Sequence, residues 1–292
     1  MENKDNRYIP EDIRKYLRKE VGYGCPIEGC RSPFLEYHHF DPKFKDGGIH
    51  RKEGMIAMCP SHHRKADIDT WTNEELYKLK NNQYKEKVKG IVEWDMKKCI
   101  VFIGSNIFFG ETFSCIINDI EIFSLKQNSD GHIYINAVLL DDDCNIISKI
   151  LNNDILTNIS QLGDLECTPS GSEIKINSNN NTTNIHIHFK KQKTDIFDYL
   201  LNRATPEVKF GLRKDIHKKV IDGKVLTLTF QAKIITNLFS VIINENFIDF
   251  DFSKLGLPDI KAKIHGAVFS KAGLCIQTNS NKKILVLGEI NY

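Results

Sequence analysis

The N-terminal fold depends on two short motifs, Cys25-Pro-Ile-Glu-Gly-Cys30 and Cys59-Pro-Ser-His62. Spacings this short suit tight turns that direct two ligands at one tetrahedral ion, and a structural zinc site needs four nitrogen or sulfur ligands. Thiolates also favour zinc over magnesium or calcium. The alternative, two unrelated pairs of small buried residues, is weakened by the occurrence of both motifs in one short segment. We therefore predict that a structural zinc ion is bound by Cys25, Cys30, Cys59 and His62.

The residues between the two motifs predict a strand, a loop, a second strand and the start of a helix. The strands are expected at residues 34–40 and Met55–Met58, with a loop at residues 46–48 between them. The helix is expected to begin at Pro60 and to include Asp67. So short a segment cannot bury a stable core of its own, and a metal crosslink would compensate for this.

Three stretches of this segment resemble the HNH endonuclease family. They are Glu36-Tyr37-His38-His39-Phe40-Asp41-Pro42, Gly47-Gly48-Ile49-His50 and Gly54-Met55-Ile56-Ala57-Met58-Cys59-Pro60-Ser61-His62-His63-Arg64-Lys65-Ala66-Asp67. The resemblance implies a ββα unit that holds a divalent cation, magnesium or manganese, and that hydrolyses phosphodiester bonds in DNA. It covers roughly one seventh of the chain, all of it within the N-terminal third.

The resemblance also implies a role for each histidine. His39 corresponds to the general base, and His38 and His63 to the ligands of the catalytic metal. A histidine titrates near neutral pH, so it can take a proton from an attacking water. Neighbouring strand residues point to opposite faces, so His38 and His39 are not expected to share one role. Within the adjacent pairs, at 38–39 and 62–63, the roles could be exchanged.

One position departs from the family pattern. Gly54 stands where the family usually has a central asparagine that orients the base or its strand. His50 or Glu53 could take over that orienting role. The alternative interpretation is a catalytically impaired, zinc-containing DNA-binding module that serves an interaction protein.

Several basic side chains are candidates for contacts with DNA phosphates. The net charge of +2 provides no overall basic field, so such contacts require a local patch. Candidates next to the second motif and in the central loop are Arg64, Lys65, Arg51 and Lys52, together with Lys43 and Lys45. The alternative is a solvated basic loop.

The remainder of the chain predicts helices around the nuclease module and then an all-β region. With 292 residues, the chain is long for a single core. We predict an α+β protein with a nuclease module at 1–71, a helical connector at 72–97 and an all-β domain at 98–292. Short apolar runs separated by turn residues predict a mainly antiparallel sandwich or barrel. We expect this domain to bind a protein partner, sense a signal or form homo-oligomers, as would suit a bacterial defence setting.

The composition favours a cytoplasmic protein that does not enter a membrane. The first residues are charged and polar, and no apolar run is long enough to span a bilayer. Five of the eight cysteines lie outside the zinc motifs and are scattered, as is typical of free thiols in a reducing compartment.

Overall fold

The computed structural model describes most of the chain. The residues that it leaves undescribed are 1–7, 48, 82–86, 94–98, 105, 111–112, 118–119, 131, 158, 193–224, 252, 256–260, 265–267, 271–272, 280–281 and 289–292. A short helix that the sequence predicts at 194–203 lies outside the described residues.

The N-terminal part is a small ββα unit flanked by two further helices. Its elements in chain order are α1 (Glu11–Glu20), β1 (Glu36–His39), β2 (Met55–Met58), α2 (Pro60–Asp67) and α3 (Asn73–Asn81). β1 and β2 form an antiparallel pair in which His38 lies opposite Ile56 and His39 lies opposite Met55. The predicted order of strand, strand and helix is confirmed. No helix in the described part of the chain is long and apolar enough to span a membrane.

This unit has its own apolar core, formed by α1, β1, β2, α2 and α3. The four side chains of β2 are all buried there, and Leu17 of α1 packs against the same core. Lys80 of α3 is also buried, and its ammonium group donates to Glu20 Oε2 at 2.5 Å and to the Met55 carbonyl at 2.5 Å. Because a buried cation needs such partners, Lys80 fixes α3 against α1 and β2.

The segment after α2 is only partly helical. The spacing of Thr72 and Glu75 in the sequence predicts a capping box. The structure confirms it, because the backbone N–H of Thr72 donates to Glu75 Oε2 and the Glu75 N–H donates back to Thr72 Oγ1. The helix ends at Asn81. The predicted helix over Val88, Ile91 and Val92 is wrong, because Val88–Ile91 forms strand β3. Val88 is fully buried in the core of the β-region, and this burial outweighs the local helical spacing.

The rest of the described chain is β-structure, as predicted. The strands are β4 (Cys99–Ile103), β5 (Asn106–Gly110), β6 (Phe113–Ile117), β7 (Ile120–Gln127), β8 (Ile133–Leu140), β9 (Ile146–Leu151), β10 (Asp154–Thr157), β11 (Leu162–Cys167), β12 (Glu173–Ser178), β13 (Thr183–Gln192), β14 (Val225–Ile235), β15 (Ser240–Ile243), β16 (Ile248–Asp251), β17 (Lys261–Ile264), β18 (Val268–Ser270), β19 (Gly273–Asn279) and β20 (Lys282–Gly288).

These strands form two mostly antiparallel sheets. One has the order β20-β19-β6-β7-β8-β9-β10-β3, and the other runs β11-β12-β13-β14-β15-β16-β17, with β4, β5 and β18 joined to it through β14. Buried side chains of both sheets belong to one apolar core. Among the described strands neither sheet closes on itself, so the barrel alternative is not supported.

The N-terminal unit packs against the edges of both sheets. The carbonyl of Arg31 accepts a hydrogen bond from the N–H of Lys89 in β3, and Phe34 forms a bridge with Cys167 of β11. The hydroxyl of Tyr23 donates to the Gly163 carbonyl at 3.2 Å, while its ring is buried in the core of the β-region. The two parts of the chain therefore share an extensive interface.

Arg18 of α1 is the main polar link across this interface. It is only 1% exposed, and its contacts account for all five N–H donors of the guanidinium. Asp164 accepts two hydrogen bonds, at 3.0 and 2.6 Å, and Glu166 and Glu11 accept at 3.1 and 2.7 Å. The fifth donor reaches the hydroxyl of Tyr37 on β1 at 2.8 Å. The strand that carries the adjacent histidines is therefore tied to β11.

Candidate functional site

The four predicted zinc ligands lie together. Their ligand atoms all lie within 4.8 Å of one another. The Nδ1 atom of His62 is 3.3 Å from Cys25 Sγ and 3.1 Å from Cys59 Sγ, and the sulfurs of Cys30 and Cys59 are 3.8 Å apart. A tetrahedral zinc ion with ordinary bond lengths would separate two sulfurs by about 3.8 Å and a sulfur from a nitrogen by about 3.5 Å. The cluster therefore fits a structural metal ion such as zinc.

Local structure brings these ligands to one point. Cys25 and Cys30 lie in the turn that follows α1, whereas Cys59 and His62 lie at the start of α2. A hydrogen bond from Cys25 is the main reason that the pKa of Cys59 is lowered to about 4. The thiolate is the form that binds a metal, and Cys59 favours it. The hydrogen bond with Cys59 raises the pKa of Cys25, and burial raises the pKa of Cys30, so a metal would displace protons from these two thiols on binding.

A second cluster is formed by one residue of β1 and two residues of α2. His38 Nδ1 is 3.2 Å from Asp67 Oδ1, and His63 Nε2 is 3.7 Å from the same oxygen. The ligand atoms of these three residues lie within 4.8 Å of one another, so they too could hold a metal ion. The sequence predicted the two histidines and missed Asp67. The available signal was the spacing of four residues between 63 and 67, which places two side chains on one face of a helix.

Glu36 sets the orientation of His63. Its Oε2 atom lies 2.7 Å from His63 Nδ1. An ionised carboxylate only accepts hydrogen bonds, so Nδ1 carries the proton and donates. The lone pair of His63 is then on Nε2, the nitrogen that faces Asp67. Carboxylates hold metal-binding histidines in this way, and the sequence prediction missed this contact.

The predicted base, His39, lies beside this cluster and has a separate set of partners. Its Nε2 atom is 2.9 Å from Nδ1 of His50, the residue proposed to orient it. Phe44 packs against both rings, with centroid separations of 5.1 Å to His39 and 5.6 Å to His50. Burial, followed by charge repulsion from His50, lowers the pKa of His39 to about 4. His39 is therefore neutral near pH 7 and has a free lone pair, but so low a pKa makes it a weaker base than a histidine that titrates near neutral pH.

The backbone of Asp41 occupies the space that a side chain at position 54 would need. A Cβ atom added to Gly54 would lie 1.6 Å from the Asp41 carbonyl oxygen. The Gly54 carbonyl accepts hydrogen bonds from the N–H groups of Phe40 at 2.9 Å and Asp41 at 3.1 Å. The chain directly after His39 is thus held by main-chain contacts, without a side chain at position 54.

Both histidine groups open into one groove of about 430 Å³. Its lining residues are Ile9, Tyr37, His38, His39, Lys43, Phe44, Lys45, His63 and Asp67. Although His38 and His39 are neighbours on a strand, both reach this groove, where they have different partners. The volume is within the range of ordinary ligand sites.

The basic candidates divide into two sets. Lys43 and Lys45 line the groove, and the Lys43 ammonium pairs with Asp69 at 2.5 Å. The other four, Arg64, Lys65, Arg51 and Lys52, are exposed and do not line it. Of these, the Lys52 ammonium lies 4.4 Å from the centre of the Tyr16 ring. The first set therefore shares the groove with the histidines.

Comparison of the chain with protein-family models, with curated proteins and with solved structures found no match.

Proposed function

We propose that this protein is a metal-dependent endonuclease that hydrolyses phosphodiester bonds in DNA. The observation that carries the proposal is the placement of His38, His63 and Asp67 around one point, with His39 at the same groove. The cluster of Cys25, Cys30, Cys59 and His62 is a separate structural zinc site. Its ligand set leaves no place for a reacting water, as is typical of structural sites.

The second cluster suits magnesium or manganese better than the first. It offers two imidazoles and one carboxylate oxygen, and three protein ligands leave further coordination positions for water and phosphate. Asp67 is exposed at the groove, whereas His38 is buried. When bound, a divalent ion would neutralise charge on the phosphate and on the leaving oxygen.

The residues of this chain would prepare the attacking water. The contact between His39 Nε2 and His50 Nδ1 has either ring as donor. In the tautomer in which His39 donates, its lone pair is on Nδ1, where it would accept a proton from the water. Phe44 restricts both rings, so the base keeps one orientation. Gly54 fixes the backbone that follows the base, so the missing asparagine side chain does not by itself remove this arrangement.

Lys43 and Lys45 would contact the phosphates that flank the bond to be cut. Both line the groove, and ammonium groups bind phosphate oxygens without reading base sequence. The two lysines therefore support contacts to the backbone of DNA. Among the described lining residues, Tyr37 and Phe44 are the aromatic side chains other than histidine.

The test is a plasmid-nicking assay with the full-length protein in magnesium and, separately, in manganese. Wild type should convert supercoiled plasmid to open-circular and linear forms. His39→Ala should lose at least about a hundredfold in rate, because a general base typically contributes that much or more. Asp67→Asn should require a higher metal concentration for the same rate.

The matched control is Lys149→Ala, which changes an exposed residue of β9 in the β-region, outside the ββα unit. Its nicking rate should equal that of wild type. The nuclease proposal fails if wild type cuts no faster than His39→Ala in either metal. Metal-independent binding to the plasmid in that case would favour the DNA-binding alternative.

A further inference from the structure

A second groove lies on the β-region, on the face of the sheet opposite the apolar core. It has a volume of about 290 Å³ and crosses strands β12, β13, β14 and β15. Its polar side chains are half-buried, although the face is open. They come from alternate strand positions and include Lys175, Asn177, Asn184, Gln231, Lys233 and Asn244.

The lining of this groove is rich in hydrogen-bond donors. Lys175 and Lys233 contribute two ammonium groups, and no carboxylate is among the described residues that line the groove. The Oδ1 atom of Asn244 accepts the backbone N–H groups of Asn246 and Phe247, so its remaining polar atom is the donor Nδ2. Donors that converge without a carboxylate among them suit an anion.

The acidic groups that contact Lys175 lie beside the groove and have further partners. Asp249 lies on the next strand beyond Ile242, opposite it in the register. Glu173 contacts Lys175 at 3.0 Å and accepts from Nε2 of His186 at 2.7 Å. Glu166 is 3.7 Å from Lys175 but is also paired with Arg18 at 3.1 Å. Lys233 lies opposite Asn184 and Ile242 in the strand register, between an amide and an apolar side chain. Lys233 is therefore the cation best placed to meet an anion.

We propose that this groove binds a small phosphate-bearing ligand of nucleotide size. The volume is at the lower end of the range for ligand sites, which favours a small molecule over a polymer. The phosphate would lie between Lys233 and Lys175, with the amides of Asn184 and Gln231 as further donors. The side chain of Ile242 would give the less polar part of the ligand an apolar contact. This site is separate from the histidine groove and does not depend on the nuclease proposal.

The experiment is isothermal titration calorimetry on the full-length protein without added divalent metal. Inorganic phosphate and adenosine 5′-monophosphate are titrated separately, so that a phosphate site is distinguished from one that also needs a base. Wild type should bind at least one of them. Lys233→Gln should weaken that binding about tenfold or more, because it removes a charge-assisted hydrogen bond. Lys233→Arg should retain most of it.

The matched control is Lys149→Gln, which changes an exposed lysine in β9 of the eight-stranded sheet. This variant should bind the probes as tightly as wild type. Thermal melts verify that each variant folds, and Lys175→Gln replaces Lys233→Gln if the latter does not. The proposal is overturned if wild type binds neither probe, or if Lys233→Gln binds as tightly as wild type. It is also overturned if Lys233→Gln weakens binding to DNA while wild type binds neither small molecule, since the face would then contact DNA.

Discussion

Replacing Gly54 by alanine should destabilise the nuclease unit severely, although it adds only one methyl group. The new Cβ would lie 1.6 Å from the Asp41 carbonyl oxygen, where ordinary contact begins at 3.4 Å. The obstacle is backbone, so roughly 2 Å of main-chain movement would be needed. That movement would also break the hydrogen bonds from Phe40 and Asp41 to the Gly54 carbonyl. We expect a loss of about 3 kcal/mol or more in the free energy of unfolding.

The assay is a thermal melt of full-length Gly54→Ala, read together with its zinc content. A loss of this size should lower the midpoint by about 6 °C or more for a chain of this length. Gly47→Ala is the matched control, because its Cβ would meet only the Ile49 side chain at 3.7 Å and its φ of −176° lies outside the left-handed region. If Gly54→Ala melts within about 1 °C of wild type, as Gly47→Ala should, the close approach of the two chain segments is refuted.

Three further variants test other links. Arg18→Met should lower the free energy of unfolding in urea by about 3–5 kcal/mol, because it leaves the buried Asp164 carboxylate without its partner. A loss below about 1 kcal/mol would contradict this. Combining Arg18→Met with Asp164→Leu should recover part of the lost free energy. Glu36→Gln should weaken manganese binding about 10- to 100-fold at unchanged zinc content, as followed by electron paramagnetic resonance; unchanged affinity would argue against its orienting His63. Cys59→Ala should release zinc in a colorimetric assay, and full retention of zinc would exclude it as a ligand.

The features predicted best from the sequence are those set by short-range chemistry. The first helical turn of α2 was predictable because Pro60 suits that position, and the helix begins at Pro60 and includes Asp67 as predicted. The zinc cluster was predictable because each ligand pair lies within one turn. In the same way, Thr72 and Glu75 cap α3 with contacts three residues apart.

The features that the sequence did not reveal depend on distant contacts. Glu36 meets His63 only because β1 pairs with β2 and α2 packs across them, so no local pattern marks the pair. Strand β11, Leu162–Cys167, was missed because Asp164 and Glu166 interrupt its apolar pattern. Their burial becomes possible only when Arg18 arrives from α1, far away in the chain.

The same reason explains the wrong helix at Val88–Ile91. The spacing of the apolar residues among Lys89 and neighbouring charged residues predicted an exposed helix. No local pattern indicated an edge strand. Its pairing with β10 places Gly90 opposite Ile155, and Pro33 packs where a Cβ of Gly90 would be. A strand whose partners lie this far along the chain is decided by the fold as a whole.

The central claim is that one ββα unit carries two separate metal sites. Counting the bound metal ions tests this claim most directly. Purified wild type and His63→Ala are assayed for zinc and then titrated with manganese, with free manganese measured by electron paramagnetic resonance. We predict one zinc ion in both proteins and one further saturable manganese site in wild type alone. Absence of saturable manganese binding in wild type, or loss of zinc from His63→Ala, would contradict the claim.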